Sequence, residues 1–231
     1  MIYLTAVPKL MMFDLDGTLA DTVYQLHLAV NAALVSVGVK EISVTETRSY
    51  IGNGASVLLA RAILSSHDVS VSDVSPDIML TARDAFNRKY LSCCDCSKSI
   101  YPGVRETLAA LKSYGIRLAV VTNKPDGFIK PVLEPSGLLS YFDYCLGSEI
   151  IPQKKPDPAP LIYVSEKLGI NIEDSCMVGD SINDIQAAVN ANIPSFALTC
   201  GYNQGIDLLA AGGSYLVDNY KEILQVIDSL R

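Results

Sequence analysis

With 231 residues, 49% of them apolar, the chain can bury one full hydrophobic core and leave room for a smaller second one. Its net charge of -7, carried by acids spread along the whole length, excludes nucleic acid as a natural partner, because such binding needs clustered Lys and Arg to displace counterions. An anionic ligand must therefore be attracted locally, and no apolar run approaches the roughly 20 residues of a membrane span.

The opening stretch from Met1 to Leu10 is mildly apolar but short, with Pro8 and Lys9 inside it, and lacks the charged-then-apolar layout of a secretory signal. The expectation is a soluble, cytoplasmic protein with no membrane partner, monomeric or homodimeric.

Leu10 to Leu15 reads as a buried strand that runs into two carboxylates one residue apart, Asp14 and Asp16, followed by Gly17 and Thr18. Open α/β sheets collect ligands beyond the carboxyl ends of their strands, and a glycine there lets the backbone turn away sharply. Asp21 is placed to cap a helix that carries Leu26, Val30, Leu34 and Val37 at helical spacing and closes at Gly38. Thr45 to Tyr50, Ala55 to Ser66 and Pro76 to Leu91 read as further helices, separated by Gly52-Asn53-Gly54 and by the Ser- and Asp-rich run from Ser65 to Ser75. No strand pattern interrupts this block. Residues 21–97 are therefore expected to form an all-helical cap domain, inserted into a core made of 1–20 and 98–231, with hinges near Asp21 and Ser97.

From Pro102 onward helices and strands alternate, the signature of a parallel sheet covered on both faces. The expected elements are a helix at Val104–Tyr114, strands at Arg117–Val121 and Tyr144–Leu146, a helix at Pro158–Leu168, a strand at Ser175–Val178, a helix at Ile182–Asn190, strands at Ser195–Leu198 and Tyr215–Val217, and a helix at Tyr220–Leu230. Pro131 and Pro135 interrupt any continuous helix between the second and third strands. The fold class is α/β, a Rossmann-like parallel sheet core with an inserted helical cap.

Two later strand ends also carry chemistry. Val120-Val121 ends in Thr122 and Asn123, and Met177-Val178-Gly179 ends in Asp180, with Asp184 one helical turn further on the same side. Between them Lys155 stands directly before Pro156. Six cysteines complete the inventory, of which Cys93, Cys94 and Cys96 crowd one stretch. A structural zinc site wants four ligands, and His27, His67, Cys145, Cys176 and Cys200 lie far off in sequence, so free thiols in a reducing compartment are expected.

The four motifs, in this order, resemble those of the haloacid dehalogenase-like superfamily of phosphohydrolases. Within it, Ile51-Gly52-Asn53-Gly54-Ala55, Tyr101-Pro102-Gly103-Val104, Val120 to Pro125, Lys154-Lys155-Pro156 with Pro158, and Thr199 to Asn203 are similar to segments of the bacterial phosphoglycolate phosphatase family. The resemblance implies magnesium-dependent hydrolysis of 2-phosphoglycolate to glycolate and phosphate, through an aspartyl-phosphate. Asp157 and the cysteine-rich stretch depart from the family pattern.

A phosphate monoester dianion repels a carboxylate nucleophile unless a divalent cation sits between them. The resemblance puts Asp14, the backbone carbonyl of Asp16, and Asp180 around Mg²⁺, an oxygen-only set that suits the ion. It makes Asp14 the nucleophile and Asp16 the general acid and then base. In the dehalogenases the second position is not an aspartate, because halide leaves without a proton. Thr122, Asn123 and Lys155 supply donors for the transferring oxygens, with Lys155 chosen over a solvated Lys154 by its place before proline. Asp184 orients Lys155 or metal-bound water. In the cap, Gly52, Asn53 and Gly54 offer backbone amides to a small carboxylate, with Arg48 as its charged partner. The alternative readings are another phosphatase or a phosphomutase of this superfamily acting on a small sugar phosphate, a phosphonate hydrolase using Lys40 or Lys89, and a non-catalytic binding module.

Overall fold

The computed structural model describes residues 2–231, so Met1, the first residue of the expected core, lies outside them. Six strands form one sheet in the order β3-β2-β1-β4-β5-β6, every pair parallel: β1 Leu10–Phe13, β2 Arg117–Val121, β3 Tyr144–Leu146, β4 Ser175–Gly179, β5 Ser195–Leu198 and β6 Tyr215–Val217. The sheet is thus Rossmann-like. The central strands are continuous apolar runs because both faces are covered. Met11, Phe13, Val120 and Val178 point into one apolar layer, Leu10, Met12, Ala119 and Met177 into the other.

Helices α1 Val23–Ser36, α2 Val44–Tyr50, α3 Ala55–Leu64 and α4 Pro76–Cys93 all fall between β1 and β2 and pack on one another, α1 against α4 most extensively. The polypeptide enters and leaves this block side by side, since the Asp21 amide donates to the Ser99 carbonyl at 2.8 Å and the Tyr101 amide to the Leu19 carbonyl at 3.2 Å. The block's apolar residues, among them Leu26, Leu34 and Phe86, are continuous with the first sheet layer. The remaining helices are α5 Val104–Ser113, α6 Ile129–Leu133, α7 Ala159–Leu168, α8 Ile182–Asn190 and α9 Tyr220–Asp228. No helix among the described residues is long and apolar enough to cross a membrane.

The residue at the cap position of α1 is Thr22, whose own side chain makes no capping hydrogen bond, while Asp21 Oδ1 accepts the Val23 amide at 3.3 Å. The same oxygen also accepts the Tyr202 hydroxyl at 2.7 Å, a tertiary partner invisible in local sequence. Between β2 and β3 no long helix forms: α6 spans five residues and ends before Pro135, and Pro131 lies within its first turn, where the missing N–H has no intrahelical partner to lose.

Candidate active site

β1 pairs with β2 on one side and β4 on the other, with Phe13 level with both Val120 and Val178. The residues just past these three strand ends therefore meet at one point, at the place where the strand order reverses direction. Asp14 follows β1, Thr122 follows β2 and Asp180 follows β4. The Asp14 amide still donates to the Val178 carbonyl at 3.0 Å, so the ladder fixes the backbone beneath its carboxylate.

Three carboxylates converge here. Asp14, Asp180 and Asp184 each present an oxygen, and these atoms lie within 4.8 Å of one another. Burial raises the Asp14 carboxyl to about 6, opposed chiefly by Lys155, and burial with repulsion from Asp184 and Asp14 pushes Asp180 well above the usual carboxylate range. Asp180 is held by the Thr18 hydroxyl and the Tyr202 amide, each at 2.6 Å. Gly17, at φ +86°, carries the turn after β1 and leaves no room for a side chain beside the Asp180 carboxylate.

One buried ammonium answers this charge. Lys155 Nζ donates to Asp184 Oδ1 at 2.6 Å and to the Val121 carbonyl at 2.6 Å, and stands 3.1 Å from Asp14 Oδ1. Burial alone would weaken its charge, but Asp14 and Asp184 outweigh it and the Lys155 value is raised. The other Asp184 oxygen accepts the Ser181 amide at 3.0 Å and hydroxyl at 2.7 Å, closing a capping box on α8. Lys154, its neighbour, is exposed.

Three acids against one lysine leave a net negative cluster of hard oxygens with restricted access to water. That donor set fits a divalent cation. The side chain of Asp16 is not part of it. Its carboxylate is turned to Lys124 Nζ at 2.8 and 2.9 Å and to the Thr22 hydroxyl at 2.7 Å, which leaves the backbone carbonyl as the group it can offer an ion.

The structure assigns Asn123 a different position from the expected one. Its side-chain Nδ2 donates to the Lys155 carbonyl at 2.9 Å and the Gly52 carbonyl at 3.1 Å, while Oδ1 accepts the Lys155 amide at 3.0 Å. The amide is thus spent on bracing the Lys155 segment and the helical block rather than on an oxyanion. Asn183 Nδ2 reaches the same Gly52 carbonyl at 3.1 Å, and Asn53 Nδ2 lies 3.5 Å from Asn183 Oδ1. The Gly52-Asn53-Gly54 loop therefore does sit over the site. Gly54, at φ +85°, packs so close to the Asn123 carbonyl that an added Cβ would stand 3.0 Å from it.

Arg48 is not among the residues that line the cavity. Its guanidinium is 3.5 Å from Asp21 and lies 4.9 Å over the Tyr202 ring, so it ties α2 to the sheet block. The cavity, about 50 Å³ in volume, is bounded instead by Asp14, Asp16, Thr122 and Lys124 and by apolar groups such as Ile51 and Phe128. Sequence reasoning passed over Lys124, Thr22 and Tyr202. Lys124 follows Thr122-Asn123 directly, and an internal lysine in an apolar strand-end motif is the signal that points to it.

The six cysteines are free thiols. Cys96 is fully buried, and burial raises it to about 12, which suits packing rather than reactivity.

A family model described as haloacid dehalogenase-like hydrolase matches residues 11–198. The chain is 41% identical over 219 residues to the phosphoglycolate phosphatase of Vibrio parahaemolyticus, covering 95% of this chain and 96% of the relative. It is 38% identical over 228 residues to phosphoglycolate phosphatase 1 of Pseudomonas aeruginosa, covering 98% and 82%. Among solved structures, a predicted phosphoglycolate phosphatase from Haemophilus somnus superposes with a TM-score of 0.86 at 37% identity, covering 94% of this chain and 97% of that one.

Proposed function

The chain belongs to the haloacid dehalogenase-like hydrolases, and from that membership we propose that it is a phosphoric monoester hydrolase converting 2-phosphoglycolate to glycolate and phosphate. The observation that carries this reading is the convergence of Asp14 with Lys155 at 3.1 Å, while Asp16, two residues on, faces the same cavity. A single carboxylate beside a cation is a common structural pair. A second one aimed into the same cavity is what proton transfer to a leaving alkoxide requires.

In this reading Asp14 attacks phosphorus and carries the phosphoryl group as an aspartyl-phosphate, dividing one difficult displacement into two. Asp16 gives a proton to the glycolate oxygen and then takes one from the water that cleaves the acyl phosphate. The Thr122 hydroxyl, the Asn123 backbone amide and the Lys155 ammonium hold the transferring oxygens, where charge spreads in the transition state. Asp184, with the Val121 carbonyl, holds the ammonium beside Asp14.

Asp14, Asp180 and the Asp16 carbonyl are the groups we assign to Mg²⁺, with Asp184 behind them. When bound, the ion offsets the repulsion between carboxylate and phosphate dianion. Residues 21–97 act as the cap, whose Gly52–Gly54 loop closes the cavity against water. The free thiols fit a reducing cytoplasm.

Phosphate release from 2-phosphoglycolate with Mg²⁺, compared with a panel of sugar phosphates, tests the reading. Preference for 2-phosphoglycolate supports it, and a favoured sugar phosphate overturns the substrate while keeping the hydrolase.

A further inference from the structure

Lys124 has no part in the chemistry assigned above, yet it is one of the best-buried charges in the protein. Its side chain is 2% exposed, and Asp16, its ion-pair partner, is itself on the cavity wall. Among the residues lining that cavity it is the sole cation. The Tyr90 ring lies behind it, with Nζ 4.4 Å from the ring centroid, which holds the ammonium against an apolar surface.

The two lysines of the site are used differently. All three Lys155 donors are directed at oxygens, those of Val121, Asp184 and Asp14. Lys124 spends its hydrogen bonds on the two Asp16 oxygens alone, and no third oxygen partner stands near it among the described residues. A buried ammonium beside a cavity, held by one carboxylate and an aromatic face, gains from an acceptor that a ligand brings to it.

Resting on the reading of the site as a phosphomonoesterase, we propose that Lys124 selects α-phosphoryloxy carboxylates by taking the substrate's carboxylate on the donor that Asp16 leaves free. The chemistry of that class demands this neighbourhood. Its ester oxygen and carboxylate share one carbon, so the group that protonates the leaving oxygen and the group that recognises the carboxylate must be adjacent. Asp16 and Lys124 are 2.8 Å apart. One lysine then bridges the general acid and the substrate. An ester whose carboxylate lies one carbon further along, or one without a carboxylate, leaves the bridge incomplete. Arg48, committed to Asp21 and Tyr202, is placed for a structural tie instead.

The test compares kcat/KM for three esters, 2-phosphoglycolate, its amide and 3-phosphooxypropionate, in the wild type, K124M and K124R. Methionine keeps the buried stem without the charge. The wild type favours the acid over its amide by about 100-fold or more, the ratio in K124M falls to within about threefold of unity, and K124R retains at least about tenfold, with the loss residing mainly in KM. A K124M enzyme that keeps the wild-type ratio, or loses acid and amide turnover equally, overturns the role of Lys124. A wild type that hydrolyses sugar phosphates but does not favour 2-phosphoglycolate overturns the substrate reading itself. Should K124M fail to fold, the wild type and K124R still decide the matter, because equal turnover of 2-phosphoglycolate and the longer acid contradicts a bridge of fixed reach.

Discussion

Asp184 is fully buried and accepts Lys155 Nζ at 2.6 Å, so the lysine that faces Asp14 is aimed by an acid lying outside the line between them. Removing Asp184 leaves the buried ammonium with its longer contact to Asp14 and the Val121 carbonyl alone. Asp184→Asn should cost about 3 kcal/mol or more, a fall of roughly 10 °C in Tm. With Mg²⁺ present, turnover of every phosphate ester should fall together. A thermal melt alongside steady-state kinetics checks both, and an unchanged Tm would show that Lys155 is held by the Val121 carbonyl instead.

The adjacent lysines Lys154 and Lys155 offer an internal control. Lys155→Met should reduce kcat by roughly 1000-fold or more, as expected for loss of a group that stabilises transferring oxygens. Lys154→Met, at an exposed position, should change kcat less than about twofold, by the usual weakness of surface charges. Comparable losses in the two variants would place the functional ammonium wrongly.

Arg48 separates a structural tie from a substrate contact. Because its partners are Asp21 and Tyr202, Arg48→Ala should affect 2-phosphoglycolate and a carboxylate-free ester by the same factor. The pair is about 40% exposed on both sides, so its contribution to stability is small, about 1 kcal/mol at most. A KM increase confined to 2-phosphoglycolate would return Arg48 to the carboxylate.

Protonation of the acid cluster couples metal binding to pH. Asp14 has a folded-state value of about 6 against an ordinary 3.8, raised first by burial, and Asp180 is raised in the same direction. A carboxyl raised on folding favours the fold fully below its unfolded value and loses that contribution as pH climbs through the folded one. The metal-free protein should therefore lose stability between about pH 4 and 6 through Asp14, and Asp180, raised in the same direction, adds a loss of the same sign. Cation binding expels those protons, so the increase in Tm on adding Mg²⁺ should be larger at about pH 7.5 than at about pH 5.5. Equal increases at the two values would mean that the acids are already ionised in the metal-free protein.

Much of this site was written in the sequence. Asp14, Thr122 and Asp180 were legible because each closes an apolar run, and a parallel sheet necessarily brings such ends together. Lys155 was distinguished from Lys154 only through the motif pattern, since nothing local tells a buried lysine from a solvated one. What sequence could not give was commitment of side chains. Asn123 has the donors for an oxyanion, but they are taken by the carbonyls of Lys155 and Gly52, residues 32 and 71 positions away. Asp21 has the chemistry of a helix cap and accepts the Val23 amide, and the same oxygen also takes the hydroxyl of Tyr202, 181 positions distant. Arg48 was read as a carboxylate partner by proximity to a glycine loop, and the same tertiary pairing withdrew it. Local rules assign donor types, and only the packed fold decides which donors remain unspent.

The role of Asp14 is best examined by mixing the enzyme with excess 2-phosphoglycolate and Mg²⁺, quenching in acid within milliseconds, and locating the phosphoryl group by mass spectrometry of the digested protein. A phosphoryl adduct on the peptide bearing Asp14, accumulated in the wild type and absent in Asp14→Asn together with at least about 10⁴-fold of kcat, is the expected outcome. Turnover that persists in Asp14→Asn, or an adduct on any other residue, would contradict the assignment of Asp14 as the nucleophile.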